Sequence, residues 1–200
     1  MPKLVYLTRR HPSFQRSEWT ARWRQHGALG MSLPRWKNVA RYVHCDLIEP
    51  SPAHVDLLPD YDGIGLIWHR SLAHRDAHFS DRSSQEIMEQ DEAETFAEPI
   101  SRNCVSMRET AILPVQGVAK IRVFCFMRNG EALDTPDKAQ GHVRNHPLPA
   151  PQGRSWGLDC TSLEEFWFDG LAVAQAALPG IAAPDRICAI GHQTELYNIG

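Results

Sequence analysis

No stretch of the 200-residue chain approaches the roughly 18 consecutive apolar residues of a membrane-crossing helix, so no membrane span is expected. Basic runs are also missing. Lys and Arg total 21 against 24 Asp and Glu, a formal net charge of −3, and no cluster could track a phosphate backbone, which argues against a nucleic-acid partner. There is no P-loop or dinucleotide fingerprint, and Gly63-x-Gly65 is too short to cradle a phosphate. The cysteines (Cys45, Cys104, Cys125, Cys160 and Cys188) are odd in number, and none is spaced C-x-x-C. Free, mostly buried thiols in a reducing compartment are therefore expected rather than a disulfide framework. Residues 1–10 lack the layout of a secretory leader, because their apolar run is short and Arg9-Arg10 follows it. A cytoplasmic location is the expectation.

What is present is ordinary globular material. Apolar residues make up 42% and charged residues 22%, enough for a core without covalent staples. Ten histidines and six tryptophans are more than usual. Lys3 to Thr8 reads as a strand, Phe14 to Leu29 as a helix ended by Gly27 and Gly30, and Val39 to Ile48 as a second strand. Pro50, Pro52 and Pro59 mark a loop. Ile64 to His69 is a third strand, Ser71 to Ala97 a helix broken near Phe79-Ser80-Asp81, and Cys104 to Leu113 a fourth strand. The order β-α-β-β-α-β is the ferredoxin-like arrangement.

The second half begins again, with strands at Val118 to Met127, weakly at Gly157 to Cys160, at Leu163 to Phe168 and at Ile187 to Tyr197. Leu171 to Leu178 reads as a helix, and a short helix fits around Asp137 to Val143 among the prolines. Shifted by 99 positions, Ile67-Trp68-His69-Arg70-Ser71-Leu72-Ala73 falls on Phe166-Trp167-Phe168-Asp169-Gly170-Leu171-Ala172, a weak internal repeat. A four-stranded sheet with both helices on one face leaves the other face bare. Two such sheets packed bare face to bare face would bury both and enclose a lumen suited to a ligand. The expectation is an α+β chain of two ferredoxin-like repeats, 1–115 and a degenerate 116–200, fused into a pseudo-dimeric barrel. Its edge strands could still pair into a homodimer.

The segment Lys3 to Arg10, the Pro12-Ser13 turn, the helix carrying Trp23 and His26-Gly27, then Arg41-Tyr42-Val43, Tyr61-Asp62-Gly63-Ile64 and Asp91-Glu92 ahead of Phe96 resemble an EthD-type domain of the dimeric α+β barrel superfamily. The resemblance covers roughly residues 3 to 113, and Leu163 to Asp169 looks like a degenerate copy. It implies ligand chemistry without a bound cofactor. Relatives include decarboxylases, dehydratases, cyclases, isomerases and monooxygenases acting on aromatic or polyketide-like molecules, and others bind haem.

Candidate chemistry follows. His26, near a helix end, could move protons near neutrality, or could merely sit in the field of the helix terminus. Tyr42 and His44 share one strand face with Asp46 and could act as an acid–base pair if that face lines the lumen. Tyr6, Trp23, Trp68 and Trp167 would wall a pocket for a flat substrate. Arg108 could hold a carboxylate or phenolate inside the barrel, and Glu165 could titrate there with a raised pKa. His74-x3-His78, His142-x3-His146 and His192 are chance-level ligand candidates, so no metal is expected. The leading expectation is a cofactor-independent lyase acting by decarboxylation or dehydration on an aromatic catabolic intermediate, with His26, Tyr42 and His44 catalytic. The alternatives are a non-catalytic ligand- or haem-binding accessory protein and a cofactor-free monooxygenase.

Overall fold

The computed structural model describes residues 1–49, 60–117, 119–183 and 186–199. Among them, eight strands and four α-helices follow one another. They are β1 (Pro2–Thr8), α1 (Arg16–Ser32), β2 (Val39–Leu47), β3 (Gly63–His69), α2 (Leu72–Ser80), α3 (Arg82–Thr95), β4 (Cys104–Leu113), β5 (Ile121–Met127), β6 (Gly141–Pro147), β7 (Ser162–Phe168), α4 (Leu171–Ile181) and β8 (Arg186–Asn198). All the strand pairs are antiparallel. They close into a barrel in the order β1-β3-β2-β8-β5-β7-β6-β4. The first four strands run β2-β3-β1-β4 and the last four β6-β7-β5-β8. The joins are β2 to β8 and β4 to β6. Closure pairs both edges within the chain, so the edge-strand route to a homodimer is already used internally.

Local chemistry sets the element ends. Gln15 and Glu18 form a capping box at the start of α1, and Pro34 follows its last turn. The expected break in the long helix is real. Asp81 ends α2 and caps α3, its carboxylate accepting from the Ser84 N–H at 3.1 Å. Helix α1 runs past Gly27 and Gly30 to Ser32. A Cβ at Gly27 would lie within 3.3 Å of Leu196, Tyr42 and His44, so the glycine lets the helix settle on β2 and β8 rather than ending it.

Other expectations need correction. The region expected as a short helix at Asp137 to Val143 leads into strand β6, which runs Gly141–Pro147. Val143 and Asn145 alternate with His142 and Arg144, a period of two that the flanking prolines disguise. Gly157 to Cys160 is not a strand, because the Gly157 backbone is pressed against Arg102, where a Cβ would lie 2.0 Å from its carbonyl oxygen. No helix lies between β5 and β6 among the described residues. The Pro50, Pro52 and Pro59 loop and Val118 lie outside the described residues.

The barrel interior is solid. Val5, Leu7, Val43, Cys45, Leu66, Trp68, Val105, Met107, Phe124, Phe126, Leu163 and Ala189 fill it from seven strands. At one end a buried polar network completes the packing. Lys3 bonds Glu109 at 2.8 Å and also Glu165, Arg122 reaches Glu165 at 3.1 Å, and Asn145 donates to Glu165 at 2.9 Å. The expected ligand lumen between the two sheets is therefore taken up by side chains. Helix α4 covers the outer face of the second half, and α1 with Trp36 and Phe96 covers that of the first. All five cysteines are free, and all but Cys160 are buried.

Candidate active site

The roomy space lies outside the barrel, between the outer face of the first four strands and helices α1 and α3. It is a cavity of about 1130 Å³, closed on one side by residues 154–157 from the second half. Its floor is made by alternate residues of the strands, among them Leu4 and Tyr6 of β1, Tyr42 of β2, Ile67 of β3 and Cys104 of β4. These point away from the filled interior because neighbouring side chains on a strand face opposite ways.

Tyr6 and Tyr42 touch through their hydroxyls at 2.7 Å. Behind them, Tyr42 Oη is hydrogen-bonded to His44 Nε2, and His44 Nδ1 lies 2.8 Å from Arg24 Nη1. Arg24 is in turn paired with Asp46. The direction of this chain is fixed by one fact: a guanidinium donates and never accepts. His44 Nδ1 must therefore accept, and a neutral His44 carries its proton on Nε2 and donates it to Tyr42. Tyr42 then gives its O–H to Tyr6, which leaves the Tyr6 O–H as the terminal donor at the cavity wall. Trp23 stacks face to face on His44, centroids 3.7 Å apart, and holds the imidazole in plane. Burial and the Arg24 charge keep the His44 pKa well below its ordinary value. Burial raises both phenols, so Tyr6 and Tyr42 stay protonated at neutral pH.

His26 forms the opposite wall, on α1. Its Nδ1 is 2.6 Å from Asp91 Oδ2 of α3, and Arg22 reaches Asp91 Oδ1 at 2.6 Å. Against the cost of burial, hydrogen bonds from His26 and Arg22 pull Asp91 down to about 2. The carboxylate thus claims the Nδ1 proton and leaves Nε2 with a lone pair. Burial lowers the His26 pKa, against the pull of Asp91, so the ring is a neutral base near neutrality. Glu92 also lines the cavity. Burial lifts its pKa to about 7, although its Oε2 accepts the Ile100 N–H at 3.2 Å.

The sequence-derived candidates divide into two groups. Tyr6, His26 and Tyr42 line one cavity, with His44 and Trp23 directly behind. His26 lies within the body of α1, which continues to Ser32, so the helix-terminus reading of it does not apply. Trp68, Glu165 and Trp167 face the barrel interior instead. The Trp68 indole N–H donates to Glu109 at 2.7 Å, and Arg122 lies 4.2 Å over Trp167. Arg108 was expected inside the barrel but is exposed on the outer face of β4, because inward-pointing Met107 and Glu109 flank it. The histidine pairs do not converge. His74, His146 and His192 are exposed, whereas His78 and His142 are buried, and His142 bonds Glu164 at 2.8 Å. Among the described residues no group of three or more His, Cys, Asp or Glu could hold a metal ion.

Arg24, Asp91 and Glu92 were missed as site residues. Glu92 did carry a signal. It falls four residues after Met88 and four before Phe96, both buried, so it interrupts the apolar stripe of an amphipathic segment.

Residues 11–100 match the model of the EthD domain family. No curated protein matches the sequence. Among solved structures, an anthrone oxidase-like protein superposes with a TM-score of 0.59 at 9% identity, covering 97% of this chain and 92% of that one. A candidate monooxygenase from Fusobacterium nucleatum superposes with a TM-score of 0.54 at 9% identity, covering 100% and 95%. At such identities the likeness is one of fold. No helix among the described residues is long and apolar enough to cross a membrane.

Proposed function

We propose that this protein is a cofactor-independent monooxygenase that oxidises an activated methylene or phenolic carbon of a polycyclic aromatic substrate. The observation that carries this reading is the one-way hydrogen-bond chain from Arg24 through His44 and Tyr42 to Tyr6, which aims a single O–H donor at a cavity flanked by the His26–Asp91 dyad. The names of the two structural neighbours favour oxygen chemistry over the lyase expected first, although the same proton-transfer groups would serve either.

The chemistry asks little of the protein. Nε2 of His26 takes the acidic C–H proton, and the Asp91 carboxylate stabilises the imidazolium that forms. Charge develops on the substrate oxygen, where the Tyr6 O–H, polarised by Tyr42 and His44, meets it. The substrate carbanion reduces dioxygen itself, and a C–O bond forms to give a peroxide. The peroxide takes the proton back from His26 and loses water. In balance, one methylene group and one dioxygen molecule give one ketone and one water, with the substrate supplying all the electrons.

The halves are further read as fused ferredoxin-like repeats, 1–115 and 116–200. The shared strand order and the equivalent placing of Trp68 and Trp167 on inner faces support this. Five free thiols suit a reducing cytoplasm. The test of the function is oxygen uptake by the purified protein with anthrone, followed alongside quinone formation by absorbance. Stoichiometric uptake that is lost in His26→Ala supports the reading. A wild-type protein that neither consumes oxygen nor forms quinone with anthrone or related tricyclic phenols overturns it.

A further inference from the structure

The phenol chain and the His26 dyad leave unused a set of donors elsewhere on the cavity wall. Arg35, in the short turn Pro34–Asn38 between α1 and β2, is 8% exposed. Its Nη1 donates to Gln85 Oε1 at 2.8 Å, and its Nε–H has no hydrogen-bond partner. No carboxylate among the described residues pairs with it, and Glu92 and Asp81 act on it only through their fields. Beside it, the buried Trp36 indole N–H and His78 Nδ1 are also without partners, with the two rings 6.5 Å apart. All three residues line the cavity. Arg154, 4.9 Å over the Phe79 ring, adds a second guanidinium to the same wall.

An arginine withdrawn from water without a counter-ion is costly to keep. Arginine and indole N–H groups can only donate, and a neutral His78 can carry its proton on Nδ1, so all three unsatisfied groups can meet acceptors. Water could satisfy the N–H groups but would not neutralise the guanidinium. Glu92 is a weak counter-charge, because burial keeps it partly protonated near pH 7. A planar two-oxygen anion fits the guanidinium fork best.

We propose that Arg35, with Trp36 and His78 beside it, binds a carboxylate of the substrate, so that the natural substrate is a polycyclic phenol or ketone carrying an acid group remote from the reacting carbon. This rests on the cavity being the substrate site, as proposed above, but not on the oxygen chemistry. The test is isothermal titration of the full chain with anthraquinone-2-carboxylate and with the corresponding carboxamide. Wild type should bind the carboxylate about tenfold or more tightly than the amide. Arg35→Gln should abolish that preference, whereas Tyr6→Phe should keep it. Equal affinities in wild type, or a preference that survives Arg35→Gln, overturn the proposal. If Arg35→Gln does not fold, Trp36→Phe substitutes for it and should shrink the preference severalfold, and an unchanged preference counts against the site. Carboxylate preference without oxygen uptake sinks the oxygenase reading alone. Oxygen uptake without carboxylate preference sinks this one alone.

Discussion

Replacing Tyr6 with Phe isolates the end of the hydrogen-bond chain. The ring stays where it is, packed over Gly65, its cross-strand partner. Only the hydroxyl that touches Tyr42 at 2.7 Å is lost. In folding terms that is one buried hydrogen bond, about 1 kcal/mol. The catalytic loss should be larger, because the hydroxyl meets a charge that exists only as the reaction proceeds. Removing one such donor lowers kcat by about 10² to 10³, or about 2.7–4 kcal/mol. Tyr42 cannot fill the gap without moving forward by a hydrogen-bond length. Initial rates of oxygen uptake at saturating substrate measure the effect, with KM expected to change little. Tyr42→Phe leaves the Tyr6 O–H in place but cuts it off from His44, so its loss should be smaller. A folded Tyr6→Phe enzyme with kcat within about threefold of wild type would show that this hydroxyl does not meet the developing charge.

Gly65→Ala reaches the same group through packing. A Cβ at Gly65 would lie 1.9 Å from Tyr6 Cζ, so the ring must leave its place and the donor with it. Lower thermal stability and a kcat as low as that of Tyr6→Phe are expected, and wild-type kcat in Gly65→Ala would contradict the assigned geometry. The pH dependence of stability offers a separate check. Burial holds His44, His69 and His78 well below their ordinary pKa of 6.5, so each stays neutral in the fold but takes up a proton in the unfolded chain as pH falls below that value. Stability from these three is therefore lost as pH falls. Glu92 acts in the opposite sense: raised from 4.5 to about 7, it is protonated in the fold and ionised in the unfolded chain between those values. His26, also lowered by burial, adds to the histidine side, so unfolding takes up more protons than it releases and stability falls as pH drops from about 6 to about 5. Urea unfolding across that range should show stability falling with pH, and a flat or rising profile would mean that the histidines are not buried as neutral rings.

Much of the architecture was legible because it depends on local alternation and capping. Seven of the strands follow from short β-prone runs, and the break between α2 and α3 follows from Asp81. Strand β6 was hidden because its apolar content is low: its inner face carries Gly141, Val143 and Asn145, and prolines crowd its far side. Tyr42 and His44 sharing a face also follows from alternation. Trp68 and Trp167 were read as pocket walls because an aromatic residue in a strand looks the same whether it faces a cavity or a core.

Periodicity along the chain established which side chains travel together: Tyr42 with His44, and Lys3 with Val5. It could not say which of the two faces each strand turns inward, since in a barrel covered by helices both are buried and both read as apolar. That choice came from the packing of the whole. Once Trp68, Met107, Phe124 and their neighbours fill the interior, the open volume must lie under α1 and α3. Only there do residues as distant in the chain as Tyr6, Arg24, His44 and Asp91 meet, because contacts across such separations arise from strand pairing and helix docking, not from any local pattern.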